Sequence, residues 1–174
     1  DYHKWNLEQY INKPEMFPDR NVRLDPETDR YVIEYKVYIN DQPPGLPIDH
    51  ISTLENSFNF WEKRSNLQAN DGKKVDIEFK TTNMKVEANV WVTWVVRNMG
   101  EGVLGHANLG KGVVEVAIGS YGCDGSFQLF DADTVEYIMT HELGHSIGLN
   151  HATNPENIMY GIVPYTGYAY CLLG

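Results

Sequence analysis

A chain of 174 residues, 42% of them hydrophobic, suits one domain with a real buried core. Its 24 acidic against 14 basic residues leave a net charge of −10, which argues against nucleic acid as a partner, because phosphate binding needs a basic face. The longest strongly apolar run, Val90 to Val96, holds two Trp and a Thr and is far too short to span a bilayer.

Taken in chain order, residues 1–30 mix Trp5, Tyr10, Met16 and Phe17 with three prolines and many charges. They read as an extended arm, with a short helix at 5–11 as its only periodic part. The arm is set apart as an N-terminal extension or pro-segment remnant, and residues 31–174 as the main domain. A start at Asp1 in place of Met is read as removal of a leader, a pro-segment or both. Tyr31 to Ile39 alternates and is rich in β-branched and aromatic residues, so it predicts a strand. Residues 41–47, with three prolines, form a loop. Ile51, Leu54, Phe58 and Trp61 recur at three and four residues, predicting an amphipathic helix over 48–65 with that stripe in the core. Val75 to Phe79 alternates as a strand, and Ala88 to Arg97 predicts another, apolar nearly throughout. Glycines at 100, 102, 105, 110 and 112 break the pattern before Val113 to Ile118 resumes as a strand. Residues 119–125 are a loop. Asp133, with Glu136 three residues on, reads as a capping box that opens a helix over 134–149. Residues 164–174 are aromatic and irregular. The element order gives an α+β domain: a twisted mixed sheet, two main helices and an irregular C-terminal part.

The chemistry sits at the end of the second helix, in His141-Glu-Leu-Gly-His145-Ser-Ile-Gly148-Leu-Asn-His151, with Met159 eight residues later. His141 and His145 are four apart, so on a helix they project from one face and can share a Zn²⁺. Glu142, beside the first of them, can reach a water on that metal. Gly148 can take the positive φ that ends the helix and returns His151 as third ligand. Three ligands leave one position open, the layout of a catalytic site. Ordinary residue usage would produce the five fixed positions by chance in about one chain in 10⁵ of this length, so a satisfied core histidine is not the reading here.

This motif with its distal Met resembles the metzincin clan of zinc peptidases, and within it the matrixin (matrix metalloproteinase) family. Asn157-Ile-Met159-Tyr160 looks like the matrixin Met-turn, and Gly102-Val-Leu-Gly-His106-Ala107 resembles the edge strand on which matrixins hold substrate. The resemblance runs over about residues 31 to 165. It implies a metzincin-like catalytic domain with a zinc cleft, cleaving peptide bonds in extended polypeptides through a water activated by Glu142. It also implies that Leu104 and Gly105 pair with the substrate backbone, that Pro164 and Tyr165 belong to the outer wall of the S1′ pocket, and that Met159 lies beneath the three imidazoles. A monomeric, secreted or extracytoplasmic enzyme with a peptide or protein substrate is expected. Two other classes stay in play: a non-catalytic zinc-containing binding module, and a hydrolase of a small non-protein amide.

Some positions depart from the matrixin pattern. Ala152 follows the third His in place of Ser, and Gly161 stands where astacin-like and serralysin-like enzymes carry a zinc-reaching Tyr. Of the ligands that hold a second, structural zinc in matrixins only His106 matches, so one zinc per chain is expected. Calcium is left open: Asp124, Asp131 and Asp133 cluster near the loops where matrixins bind it, with Asp133 already read as a cap. Cys123 and Cys171, the two cysteines, would pair in a secreted enzyme and stay as buried thiols in a reducing compartment.

Overall fold

The computed structural model describes residues 8–11, 21–64, 66–98, 105–107, 112–121 and 127–161. In chain order the elements are β1 (Glu8–Ile11), β2 (Asn21–Asp25), β3 (Arg30–Ile39), α1 (His50–Asn59), β4 (Asn66–Ala69), β5 (Val75–Thr81), β6 (Val90–Asn98), β7 (Gly105–Ala107), β8 (Val113–Tyr121), β9 (Phe127–Leu129) and α2 (Ala132–Ser146). Seven of these strands form one mixed sheet. β3 pairs in parallel with β5 and β6, and Val37 is in register with both Thr81 and Val90, so the two partners flank β3 on opposite edges. β8 runs parallel to β6, and β7 pairs antiparallel with β8 at the end of the strand path. β3, α1 and β5 make a crossover unit, which a parallel pair requires.

Alternation explains which face is covered. Ile33, Tyr35 and Val37 of β3, Ile77 and Phe79 of β5, Val90 and Val92 of β6, and Val114 and Val116 of β8 are all buried. They share their core with Leu54 and Phe58 of α1 and with Val135, Ile138, Met139 and Leu143 of α2. The Phe58 and Phe79 rings stack with centroids 4.6 Å apart, locking α1 onto β5. The α+β arrangement, a mixed sheet with two helices, is the one expected.

Several details differ from the sequence reading, each for a physical reason. Residues 8–11 are a strand and not part of a helix, because their backbone finds a parallel partner in β4. Residues 21–25 join the sheet through an antiparallel pair with β3, closed by a turn in which Asp29 takes a positive φ. The first helix starts at His50, capped by the Asp49 side chain, and at Phe60 loosens into a π-turn over Phe60–Arg64 that swings Trp61 into the core. Ile51 is not core: at the first turn it is 40% exposed, while Thr53, Leu54, Ser57 and Phe58 form the covered face. β6 is not apolar on both sides in effect, since Trp91 alternates with buried Val90 and Val92 and stays exposed, as does Val96 at the bulge near the strand's end. β8 continues to Tyr121 through a stretch read as loop. β2, β4 and β9 are short strands that the sequence pattern did not separate from their surroundings.

Candidate active site

The second helix begins at Ala132, not Thr134. Its cap is Asp131, whose extended backbone (φ −70°, ψ 168°) aims the carboxylate at the Thr134 N–H, 2.8 Å away. Asp133 lies inside the first turn, where its charge favours the helix dipole without capping it. Asp131 is therefore occupied as a cap and Asp133 stands in the helix; Asp124 lies outside the described residues.

The far end of α2 is clamped by side chains distant in sequence. The Trp61 indole N–H donates to Thr140 O at 2.8 Å, immediately before His141. The Ser57 and Thr140 hydroxyls are 2.9 Å apart, and the Tyr35 hydroxyl donates to Ser146 O at 3.1 Å, one residue past His145. These buried bonds fix the helix against both α1 and the sheet on either side of the motif. Gly144 is required by close approach: a Cβ there would run into Met159 Sδ and stand 2.6 Å from Trp61 Cζ2. Gly148 has φ 103°, and its N–H donates to His145 O while Leu149 N–H returns to Gly144 O. The helix thus ends as the sequence predicts, through a left-handed glycine that turns the chain back.

What the returning chain brings is His151, and the turn around Met159 holds it there. Ala152 N–H donates to Met159 O at 2.7 Å, and Ala152 and Tyr160 form a parallel bridge. The turn itself is shaped by Asn157, buried, whose Oδ1 accepts the Met159 N–H at 2.8 Å. Met159 is fully buried against Gly144 and Trp61. Gly161 lies against the His151 ring, with space for a Cβ only 3.1 Å from Nδ1.

His141, His145 and His151 meet, and their candidate ligand atoms all lie within 4.8 Å of one another. His141 Nδ1 is 2.7 Å from Ile158 O, and His145 Nδ1 is 2.7 Å from Leu149 O. A carbonyl can only accept, so both Nδ1 atoms carry the proton and both Nε2 atoms offer a lone pair. Burial holds the His141 pKa down to about 4, reinforced by the two neighbouring histidines and opposed by the Ile158 carbonyl. His141 is therefore neutral at physiological pH, the form that ligates a metal. Nitrogens at ~2.0–2.1 Å from one ion lie within ~4 Å of each other, so small ring rotations let the trio share it. The residues fit a zinc ion. Glu142 is buried beside them, its Oε1 3.9 Å from His141 Nε2. Among the described residues this is the one group of three or more His, Cys, Asp or Glu placed to hold a metal.

Comparison with known proteins reaches the same family as the motif. The sequence model of the matrixin family matches residues 28–170. The chain belongs to the matrixin family. Matrixins are zinc metalloendopeptidases as a family, and this matrixin is also similar to Matrix metalloproteinase-B of Caenorhabditis elegans. The two are 25% identical over 158 residues, covering 74% of this chain and 30% of the relative. The chain therefore spans less than a third of that relative's length.

Of the other residues singled out by sequence, the backbone of Gly105 lies in β7, in register with Val116 at the end of the sheet and beside α2. His106 is in register with Glu115. Leu104, Pro164, Tyr165, Cys123 and Cys171 fall outside the described residues. Sequence reasoning assigned Trp61 only to the core and gave no role to Tyr35, Thr140 or Asn157. Trp61 and Asn157 carried the available signals: a bulky residue at the end of the helical stripe, and an Asx residue two before the Met.

Proposed function

We propose that this matrixin is a zinc-dependent endopeptidase in which His141, His145 and His151 hold one Zn²⁺ and Glu142 serves as general base and then general acid. The supporting observation is the convergence of three imidazoles, two with Nδ1 committed to carbonyl oxygens, around a point that the buried Glu142 carboxylate adjoins. A Zn²⁺ ion supplies Lewis acidity at such a site, drawing the pKa of water toward neutrality and polarising a carbonyl. Glu142 accepts the proton of the attacking water and delivers it to the departing amine nitrogen, a contribution of about 10²–10⁴ in rate. Met159, pressed into α2 between the two helical histidines, keeps the ligand plane from sinking into the core. Ile158 and Leu149 orient two of the rings through their carbonyls.

The substrate is an extended polypeptide. β7 ends the strand path on the side of α2, and its outer edge offers main-chain donors and acceptors to an added strand at Gly105; the matrixin resemblance adds Leu104 to that contact. Pro164 and Tyr165, outside the described residues, are assigned by the matrixin resemblance alone to the pocket that receives the residue after the scissile bond. The enzyme acts as a secreted or extracytoplasmic protein; no described helix is long and apolar enough to cross a membrane. Residues 31–174 carry the catalytic unit, and residues 1–30 extend it, with β2 adding a strand to its sheet.

The test is incubation with a quenched random-peptide library, with chelator and with zinc restored. Cleavage that chelator abolishes and zinc restores is expected. Tight zinc binding with no cleavage would replace this reading with a binding module, and hydrolysis confined to small amides would replace the polypeptide substrate.

A further inference from the structure

The face of the sheet turned away from the helices carries an apolar apex that neither the zinc site nor the core uses. Residues 82–89 cross β3 on their way from β5 to β6, and within them Lys85–Glu87 forms a 3₁₀ turn. Val86 is 88% exposed and Met84 54%. Next to them on the outer face, Trp91 and Val113 stand in register on β6 and β8 and are 38% and 41% exposed. Isolated exposed apolar residues are ordinary, but four on one face, two of them at an apex, form a patch.

The apex is held rigidly. Glu87 N–H donates to Met84 O, Met84 N–H to Thr82 Oγ1, Thr82 N–H to Val37 O and Asn89 N–H to Lys36 O, all within 2.8–3.1 Å. Lys36 N–H returns to Asn89 Oδ1 at 2.8 Å. The Trp91 indole N–H donates to Lys85 O at 3.0 Å, and the Lys85 ammonium lies 4.4 Å from the Trp91 ring centroid and 6.0 Å from that of Tyr38. Val86 therefore projects from a turn already fixed in place, with little ordering entropy left to lose on contact.

Three lysines gather at the apex of a chain that is acidic overall. Lys36 and Lys80 are exposed and directly opposite in the β3–β5 register, a like-charge pairing that costs stability without an anion nearby. Among the described residues none of Lys36, Lys80 and Lys85 has a carboxylate within ion-pair distance. Glu87 stands in the turn itself, Glu34 and Glu78 occupy the next row along β3 and β5, and Glu115 follows Val113 on the same face of β8, so the acidic groups of this face lie mostly around the lysines and not among them. Protruding aliphatic side chains, an amphipathic Trp–Tyr pair and lysines without an ion pair among the described residues match the layers of a bilayer surface: acyl boundary, interfacial zone and phosphate headgroups. A sugar polymer would use the rings and the lysines but has no use for a bare Val86 and Met84.

We propose that the Met84–Val86 turn, with Trp91, Val113 and the three lysines, docks this chain on a phospholipid membrane. Trp91 and Val113 alternate with core-facing Val90, Val92 and Val114, so this face is opposite the one that packs on α2, and docking leaves the histidine cluster uncovered. The contact is peripheral and reversible, carried by apolar insertion first, because a net charge of −10 opposes long-range attraction to an anionic surface.

Flotation of the 174-residue chain with vesicles tests this, using phosphatidylcholine alone and phosphatidylcholine mixed with phosphatidylserine. The chain should float with both. Met84→Asp combined with Val86→Asp should lower partition about tenfold or more, and Val86→Ser alone should lower it less. Lys36→Gln with Lys80→Gln should give a smaller, salt-sensitive loss. All these positions are exposed, so unchanged thermal midpoints show that the fold is intact. A chain that stays with the soluble fraction in both cases, floats equally well with both aspartates, or is held by an immobilised sulfated polysaccharide and not by vesicles would overturn the proposal.

Discussion

Gly144→Ala sets two opposed effects against each other, and their sizes decide its sign. In a helix interior the change from Gly to Ala ordinarily stabilises by ~0.8–1 kcal/mol. Here the new Cβ would meet Met159 Sδ and lie 2.6 Å from Trp61 Cζ2, and both partners are buried in the core, the indole being rigid. Forcing a methyl into such a core costs ~1–3 kcal/mol, and contacts this short on two sides belong at the upper end. The net is a destabilisation of about 1–2 kcal/mol, which in a domain of this size lowers the thermal midpoint by roughly 2–8 °C. Urea and thermal unfolding of the zinc-free chain measure it without interference from the metal. Met159→Ala, which leaves a cavity, should cost about 2–5 kcal/mol by itself. Combined with Gly144→Ala it should cost less than the sum, because the added methyl enters space that the sulfur vacates, while the Trp61 contact remains. A Gly144→Ala variant as stable as the parent or more so, or strict additivity with Met159→Ala, would refute the close packing of the Met-turn against α2.

Three other outcomes follow from the same geometry. His151→Ala removes the proposed third ligand, held only by the returning chain, so zinc affinity should fall by at least tenfold in a competitive chelator titration with little change in folding, as His151 is exposed. Trp61→Phe deletes the buried donor to Thr140 O and should destabilise by about 1–3 kcal/mol in urea unfolding, whereas a neutral outcome would remove Trp61 as the clamp of the helix. Glu62 is exposed as a residue, yet partial desolvation of its carboxylate raises its pKa from the ordinary value, helped by Glu78 and opposed by the Phe79 N–H and Lys63. The fold therefore favours the protonated form, so this contribution is present at acid pH and is lost as pH rises through the raised folded pKa. Glu62→Gln, which can still accept the Phe79 N–H, should raise the midpoint at neutral pH and leave it unchanged near pH 4; the opposite order would show that the carboxylate stabilises the fold.

The convergence of the three histidines was legible because its demands are local. Two imidazoles on one helix face, a glycine that must take φ 103° and a third His a fixed distance on are all spacings within eleven residues. The supports of that site were not legible, because they come from far along the chain: Trp61 reaches Thr140 across 79 residues and Tyr35 reaches Ser146 across 111. Long alternating strands such as β3 and β5 announced themselves, whereas β2 and β4 exist only because a neighbour completes their hydrogen bonds. The cap was misplaced by two residues because both Asp131 and Asp133 are good cap types, and only the extended backbone at Asp131 separates them. Ile51 fits the helical stripe by spacing yet is exposed, since the covered face at the first turn is shifted toward Thr53 and Leu54. The nearly apolar run of β6 likewise concealed that one of its faces stays open.

Glu142→Ala tests the central claim most directly, with zinc content and peptide turnover measured on the same preparation. All three histidines and both carbonyl partners remain in that variant, so zinc should stay stoichiometric while turnover falls by about 10²-fold or more. Turnover preserved at full zinc occupancy would contradict the assignment of Glu142 as the group that moves the proton.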